Sequence, residues 1–169
     1  MLYGTRPSRC LAVSYGQRHA KELGFARFHA DKLRIPLEVV EVPPLFGSQL
    51  TDGGGSVVVP FRNAIMLGLA VNRAEAGGLE RVTIATNRDD WEMFPDCTPN
   101  FLAAYNRMLS ASGIEVVVKA PYVYLTKKQI VELGRSMSID LEATWSCYAG
   151  GDSPCGSCLA CRLRAEALA

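Results

Sequence analysis

The sequence predicts an α/β protein organised on a parallel sheet, with a small metal-binding segment at its C-terminal end. Three observations carry that expectation. Short apolar runs alternate with longer helical patterns, the habit of folds in which each strand is followed by a crossover helix. The 169 residues are 49% hydrophobic and 21% charged, which suits one ordinary core. Lastly, Cys147, Cys155, Cys158 and Cys161 fall within fifteen residues, separated by Gly, Ser and Pro turns.

Cys10 to Tyr15 reads as a strand and Gln17 to Leu33 as a helix ended ahead of Pro36. Leu37 to Val42 is a second strand, stopped by Pro43-Pro44. A polar stretch through Thr51-Asp52-Gly53-Gly54-Gly55 follows, either a mobile flap over a site or an insertion without a role. Arg62 to Ala76 is helical and nearly apolar all round, which predicts a buried helix. Arg81 to Thr86 is a third strand, followed by an irregular charged and aromatic loop from Asn87 to Cys97. Pro99 suits the first turn of a helix running to about Leu109, with Thr98 as its N-cap. Ile114 to Lys119 is a fourth strand. Thr126 caps a helix from Lys127 to Met137, and the cysteine loop leads into a last helix, Leu159 to Leu168. The expected organisation is an α/β domain over residues 1–137 and a metal-binding segment over 138–169.

Tetrahedral zinc needs donors that converge at about 2.3 Å from sulfur, so the chain must turn sharply between ligands. Cys155-Gly156-Ser157-Cys158 has the spacing of a two-ligand knuckle. Cys161 lies one helical turn on, and Cys147 reaches in across Gly150-Gly151. Four thiolates saturate the ion, which makes such a site structural. Disulfides and an iron–sulfur cluster are the alternatives. The start of the chain has no apolar signal core, which favours a reducing cytoplasm and therefore metal over bridges. The C-x2-C-x2-C run opens some ferredoxin motifs, but Ala165 stands where their fourth cysteine would be.

The net charge of +1 leaves no electrostatic footprint for nucleic acid. The longest apolar runs, such as Ile65 to Val71, are too short to span a bilayer. Neither nucleic acid nor membrane is an expected partner. Ligands of parallel sheets bind outside the carboxyl ends of the strands. Three polar segments fall there: Tyr15-Gly16-Gln17-Arg18-His19, Pro60-Phe61-Arg62-Asn63, and Asn87 to Cys97.

These segments carry a resemblance. Ser14-Tyr15-Gly16-Gln17-Arg18-His19, Val59-Pro60-Phe61-Arg62-Asn63-Ala64, Asn87-Arg88-Asp89-Asp90 with Phe94-Pro95-Asp96-Cys97, Leu125-Thr126-Lys127-Lys128-Gln129-Ile130, Thr144-Trp145-Ser146-Cys147-Tyr148 and the cysteine cluster occur in one order. Together they resemble the motifs of the 7-cyano-7-deazaguanine synthases, of the PP-loop superfamily. The resemblance implies a Rossmann-like α/β domain, a structural zinc ion and a homodimer. It also implies ATP-dependent conversion of 7-carboxy-7-deazaguanine and ammonia into 7-cyano-7-deazaguanine, with ATP bound alongside Mg²⁺. By matching position it places Asn87, Asp90, Phe94, Asp96 and Arg62 at the deazaguanine, and Tyr15, Gln17, Arg18 and Lys127 at the nucleotide. Asp90 or Asp96 would accept from the base's N–H edge, or else both merely cap their loop; Arg62 would meet the nucleotide or the substrate carboxylate, or else form a surface ion pair. Lys127 opposes the dipole of its own helix start, which favours a phosphate-facing role. No catalytic residue is assigned.

The pattern departs from the family in places. Ser14 stands for a frequent Asp, Ala85 for a Gly, and Thr98 for an Arg that would suit an anionic carboxyl group. Family members open with a strand and an S-G-G-x-D-S loop whose N–H groups hold the ATP pyrophosphate. No such segment occurs here, and Met1-Leu2-Tyr3-Gly4 aligns with the end of the helix that follows it. That strand is the central one in the order 3-2-1-4-5, so the expectation is an N-terminally shortened synthase with its sheet in two halves. A deazapurine-binding pseudoenzyme or subunit, and a zinc-bearing interaction module, are the other readings.

Overall fold

A computed structural model describes residues 7–169, so the helix end expected over residues 1–4 lies outside the described residues. The chain divides into two compact units, Phe61–Thr126 and residues 7–60 together with Lys127–Ala169.

The first unit holds α2 (Arg62–Ala76), β3 (Arg81–Thr83), α3 (Pro99–Ala111) and β4 (Val117–Lys119). Strands β3 and β4 pair in parallel, Val82 opposite Val118. Ala64, Leu67, Val71 and Ala74 recur at helical spacing on α2 and meet Leu102, Tyr105 and Leu109 of α3, with Val116, Val118 and Val123 completing the core. Each fully buried aliphatic contributes roughly 1.5–3 kcal/mol. The nearly apolar helix is thus buried along one face; Gly68 is exposed and Ile65, Met66 and Leu69 are half-buried. Asn106 of α3 covers part of β4, donating from Nδ2 to the Val118 carbonyl at 2.9 Å and accepting from its N–H at 2.8 Å. Thr98 caps α3 as expected, its hydroxyl accepting from the Phe101 N–H at 3.2 Å.

The second unit holds β1 (Cys10–Ser14), α1 (Glu22–Leu33), β2 (Leu37–Glu41), α4 (Lys127–Ser136) and α5 (Leu159–Leu168). Strands β1 and β2 are parallel, with Cys10 opposite Leu37. The expected two-part sheet is therefore present as two parallel strand pairs, one per unit. Helix α1 begins five residues later than its pattern suggested, because residues 18–21 form turns closed by backbone bonds from the Ala20 N–H to the Gln17 carbonyl and from the Glu22 N–H to the His19 carbonyl. The glycine-rich stretch is a closed loop. Asp52 accepts from the N–H groups of Gly47, Ser48 and Gly54, and the Ser48 hydroxyl donates to the Ser56 carbonyl at 3.0 Å. These N–H bonds hold the Asp52 carboxyl below its ordinary range.

The C-terminal segment is fastened to α1 and the turn before it. Trp145 stacks on Phe25 at 5.9 Å between centroids, with the Lys21 ammonium 4.7 Å from the indole. Lys21 also donates to the Asp152 carbonyl at 2.6 Å, and His29 meets the Ala143 carbonyl at 2.6 Å. Gly150 fits closest of all: its φ is +71°, and a Cβ there would stand 2.1 Å from the Arg18 carbonyl oxygen. Gly150→Ala is accordingly expected to destabilise the protein by about 2–4 kcal/mol through clash and backbone strain together. Thermal unfolding measures it, and an unchanged midpoint would contradict this packing.

Candidate metal centre and substrate loop

Two groups of side chains have the chemistry of a site. The first is the cysteine cluster. Cys147 is buried at the end of an extended stretch, and Cys155 and Cys158 form the knuckle. Gly156 sits at its tip with a φ of +72°, a conformation glycine adopts without Cβ strain. Cys158 is the N-cap residue of α5, which puts Cys161 in the first helical turn facing back toward the other three. The four Sγ atoms lie within 4.8 Å of one another, Cys155 and Cys161 at 4.0 Å. A tetrahedral thiolate site with 2.3 Å bonds has S···S edges of about 3.8 Å, so the cluster could hold a metal ion after a small contraction. All six cysteines are free, and the four clustered sulfurs lie at separations that suit a shared ion rather than a bridge.

The surroundings suit thiolates. Backbone N–H groups of Ala149 and Cys155 point at Cys147 Sγ at 3.4 and 3.3 Å, and that of Cys158 at Cys155 Sγ at 3.4 Å. The Cys158 N–H, followed by Ser157's backbone and hydroxyl groups, pulls the Cys155 thiol down to about 6. Desolvation, helped by Cys158, pushes Cys161 up to about 12.

The second group is the loop between β3 and α3, where two short 3-10 turns, Arg88–Asp90 and Pro95–Cys97, carry the expected substrate residues. Asn87 is buried; its side-chain carbonyl accepts from the Asp89 N–H at 3.1 Å and its amide donates to Asp90 Oδ2 at 2.6 Å. Phe94 is half-buried at the start of the second turn and donates its N–H to the Asp90 carbonyl at 2.9 Å. Arg62 is the first residue of α2. Phe61 before it has a left-handed φ of 59° and no side-chain oxygen, so it offers the helix no cap. Asp96 supplies one from thirty-three residues away: its Oδ2 accepts the Asn63 N–H at 3.2 Å. The carboxylate thus sits where the helix dipole favours it. The capping alternative and the binding role are compatible, since each carboxylate has a second oxygen.

Asn63 and Cys97 belong to the cluster but were not among the expected site residues. Asn63 Nδ2 donates to the Asp96 carbonyl at 3.2 Å and to Cys97 Sγ at 3.3 Å, and both residues are buried. Burial, reinforced by the charges of Asp96 and Asp90, pushes the Cys97 thiol up to about 11. The final Asn of Val59-Pro60-Phe61-Arg62-Asn63 and the Asp-Cys pair were the available signals.

A family profile described as "Queuosine biosynthesis protein QueC" matches residues 6–169. The chain belongs to that family. Among curated relatives, the 7-cyano-7-deazaguanine synthase of Porphyromonas gingivalis (strain W83) is 40% identical, over 99% of this chain and 86% of the relative. The 7-cyano-7-deazaguanine synthase 1 of Mesorhizobium japonicum is 39% identical, over 94% of this chain and 76% of its own length. A Brucella ovis protein of the same activity matches at 39% with the same coverage. Membership agrees with the α/β architecture, the parallel strand pairs and the C-terminal cysteine cluster.

The residues expected at the nucleotide lie in the other unit. Tyr15 and Gln17 are buried: Gln17 Oε1 accepts the Tyr15 N–H at 2.8 Å and Nε2 donates to the Val13 carbonyl at 3.2 Å. Arg18 is exposed, its N–H tied to the Leu50 carbonyl at 2.9 Å. Lys127 is the half-buried first residue of α4. Among the described residues no helix is long and apolar enough to cross a membrane.

Proposed function

We propose that the chain acts as a 7-cyano-7-deazaguanine synthase in queuosine-type biosynthesis, converting 7-carboxy-7-deazaguanine and ammonia to the nitrile with Mg²⁺-ATP. The observation that carries this reading is the family match along residues 6–169. A carboxylate is a poor electrophile because oxide leaves badly. Adenylation with release of pyrophosphate supplies AMP as the leaving group, and ammonia displaces it to give the amide. A second adenylation on the amide oxygen lets AMP depart as the nitrile forms and the nitrogen loses its protons. The protein's part is positioning and charge neutralisation.

In this reading Asp90 and Asp96 use their remaining acceptor capacity on the base's N–H edge. Asn87 holds Asp90 in place, Phe94 lies against the ring, and Arg62 meets the carboxylate or the nucleotide. Tyr15 and Gln17 shape the turn that presents Arg18, and Lys127 adds a second positive charge for phosphate. The chain works as a cytoplasmic homodimer without nucleic acid or membrane contacts. Incubation with the 7-carboxy base, ammonium and Mg²⁺-ATP should yield the nitrile by mass spectrometry. Absence of both product and base binding overturns the proposal, and binding without turnover replaces it with a deazapurine-binding protein.

The cysteine cluster binds zinc as a closed structural site, since four thiolates leave no position for substrate or water. At neutral pH Cys161, at about 12, still carries a proton in the metal-free cluster, whereas Cys155, at about 6, is largely thiolate. Zinc binding should therefore release protons, and affinity should fall with pH, more steeply below about 6 where Cys155 also protonates. Calorimetry in buffers of different ionisation enthalpy reads the proton count. A buffer-independent heat would contradict the prediction.

A further inference from the structure

We infer that Asn63 is a positioning residue for the base-binding carboxylate, setting through Asp96 how the protein distinguishes a 2-amino deazapurine from one lacking that amino group. The inference rests on the proposed function and adds a residue to it. Asn63 bonds the Asp96-Cys97 pair at three points. Its backbone N–H holds Asp96 Oδ2 at 3.2 Å, and its amide holds the Asp96 carbonyl at 3.2 Å and Cys97 Sγ at 3.3 Å. It is 5% exposed, so water does not replace these bonds.

The geometry fixes the carboxylate as well as the loop. With Oδ2 engaged by α2, the second oxygen, Oδ1, faces the Cys97 thiol at 4.0 Å. That sulfur is itself anchored by Asn63 and keeps its proton beside Asp90 and Asp96, so it presents a weak donor to Asp96 and no competing charge. One carboxylate oxygen is therefore held by the Asn63 backbone, and the other faces a thiol that the Asn63 side chain bonds. An acceptor held this way can bond a base amino group without first reorganising, whereas a mobile one loses much of that advantage. The site then disfavours an analogue lacking the amino group, because that base cannot make the hydrogen bond to the oriented carboxylate.

The test measures binding of 7-carboxy-7-deazaguanine and of its 2-deamino analogue to the full chain by calorimetry, in wild type and Asn63→Ala. Wild type should prefer the amino-bearing base by about tenfold or more, the value of one hydrogen bond to a carboxylate. Asn63→Ala keeps the backbone N–H to Asp96 Oδ2 and removes the two amide bonds to the Asp96 carbonyl and Cys97 Sγ, so it should lose part of that preference while keeping its zinc. Asn63→Ser, which retains a shorter donor, should recover part of the preference; it also serves in place of Asn63→Ala if that variant fails to fold. Equal preference in wild type and folded variant overturns the positioning role alone. Failure of wild type to bind either base overturns the proposed function and this inference with it.

Discussion

Asp96→Ala is expected to weaken binding of 7-carboxy-7-deazaguanine by on the order of a hundredfold or more while leaving the zinc content unchanged. The size follows from losing hydrogen bonds to an ionised acceptor, about 1.5–3 kcal/mol each. The substitution also removes the acceptor that the Asn63 N–H meets at the start of α2. Loss of a cap costs about 1 kcal/mol, which shifts thermal unfolding by a few degrees but cannot account for a hundredfold change in affinity. Asp96→Asn separates the effects: it keeps an oxygen for the helix and removes the charge. Calorimetry should find Asp96→Asn nearly as stable as wild type and still much weaker in binding. Wild-type affinity in either variant would remove Asp96 from the site.

Chelation of the zinc proposed for the cysteine cluster, or Cys147→Ser, should have the largest effect on stability. Zinc sites of this kind bind with apparent free energies of about 10–16 kcal/mol at neutral pH, a share of which appears as folding stability. Loss of even about 5 kcal/mol would lower the unfolding midpoint by roughly 10–20 °C in a chain of this length. Cys147 is the informative ligand, because it is 1% exposed and the neighbouring Trp145 is stacked on Phe25. Its loss should free the segment from α1 and shift Trp145 fluorescence to the red. A Cys147→Ser protein with unchanged midpoint and emission would show that the cluster does not hold the segment.

Much of the fold was legible from pattern. Arg62–Ala76 and Leu159–Leu168 occur with the bounds their periodicity suggested, and Thr98 caps α3. The errors lie at ends where a side chain competes with the backbone. Gln17 to Lys21 has helical composition, yet the Gln17 amide bonds backward to the backbone of Val13 and Tyr15, and the residues after it form turns. Strand β4 starts three residues later than expected, at Val117. The glycine-rich stretch read as flap or insertion because composition cannot reveal that one carboxylate, Asp52, closes it.

The sequence by itself determined the family, through motifs whose residue types and order are chemical requirements, and it picked out the four cysteines whose sulfurs the structure brings within 4.8 Å of one another. Tertiary structure alone decided how those residues act on one another. Asn63 and Asp96 are thirty-three residues apart, and no local pattern says that the second caps the helix of the first. Likewise, nothing near Gly150 in the chain announces that the Arg18 carbonyl will lie against it. Spacing encodes contacts within a turn or a helix; contacts between distant segments arise only when burial of apolar faces brings those segments together.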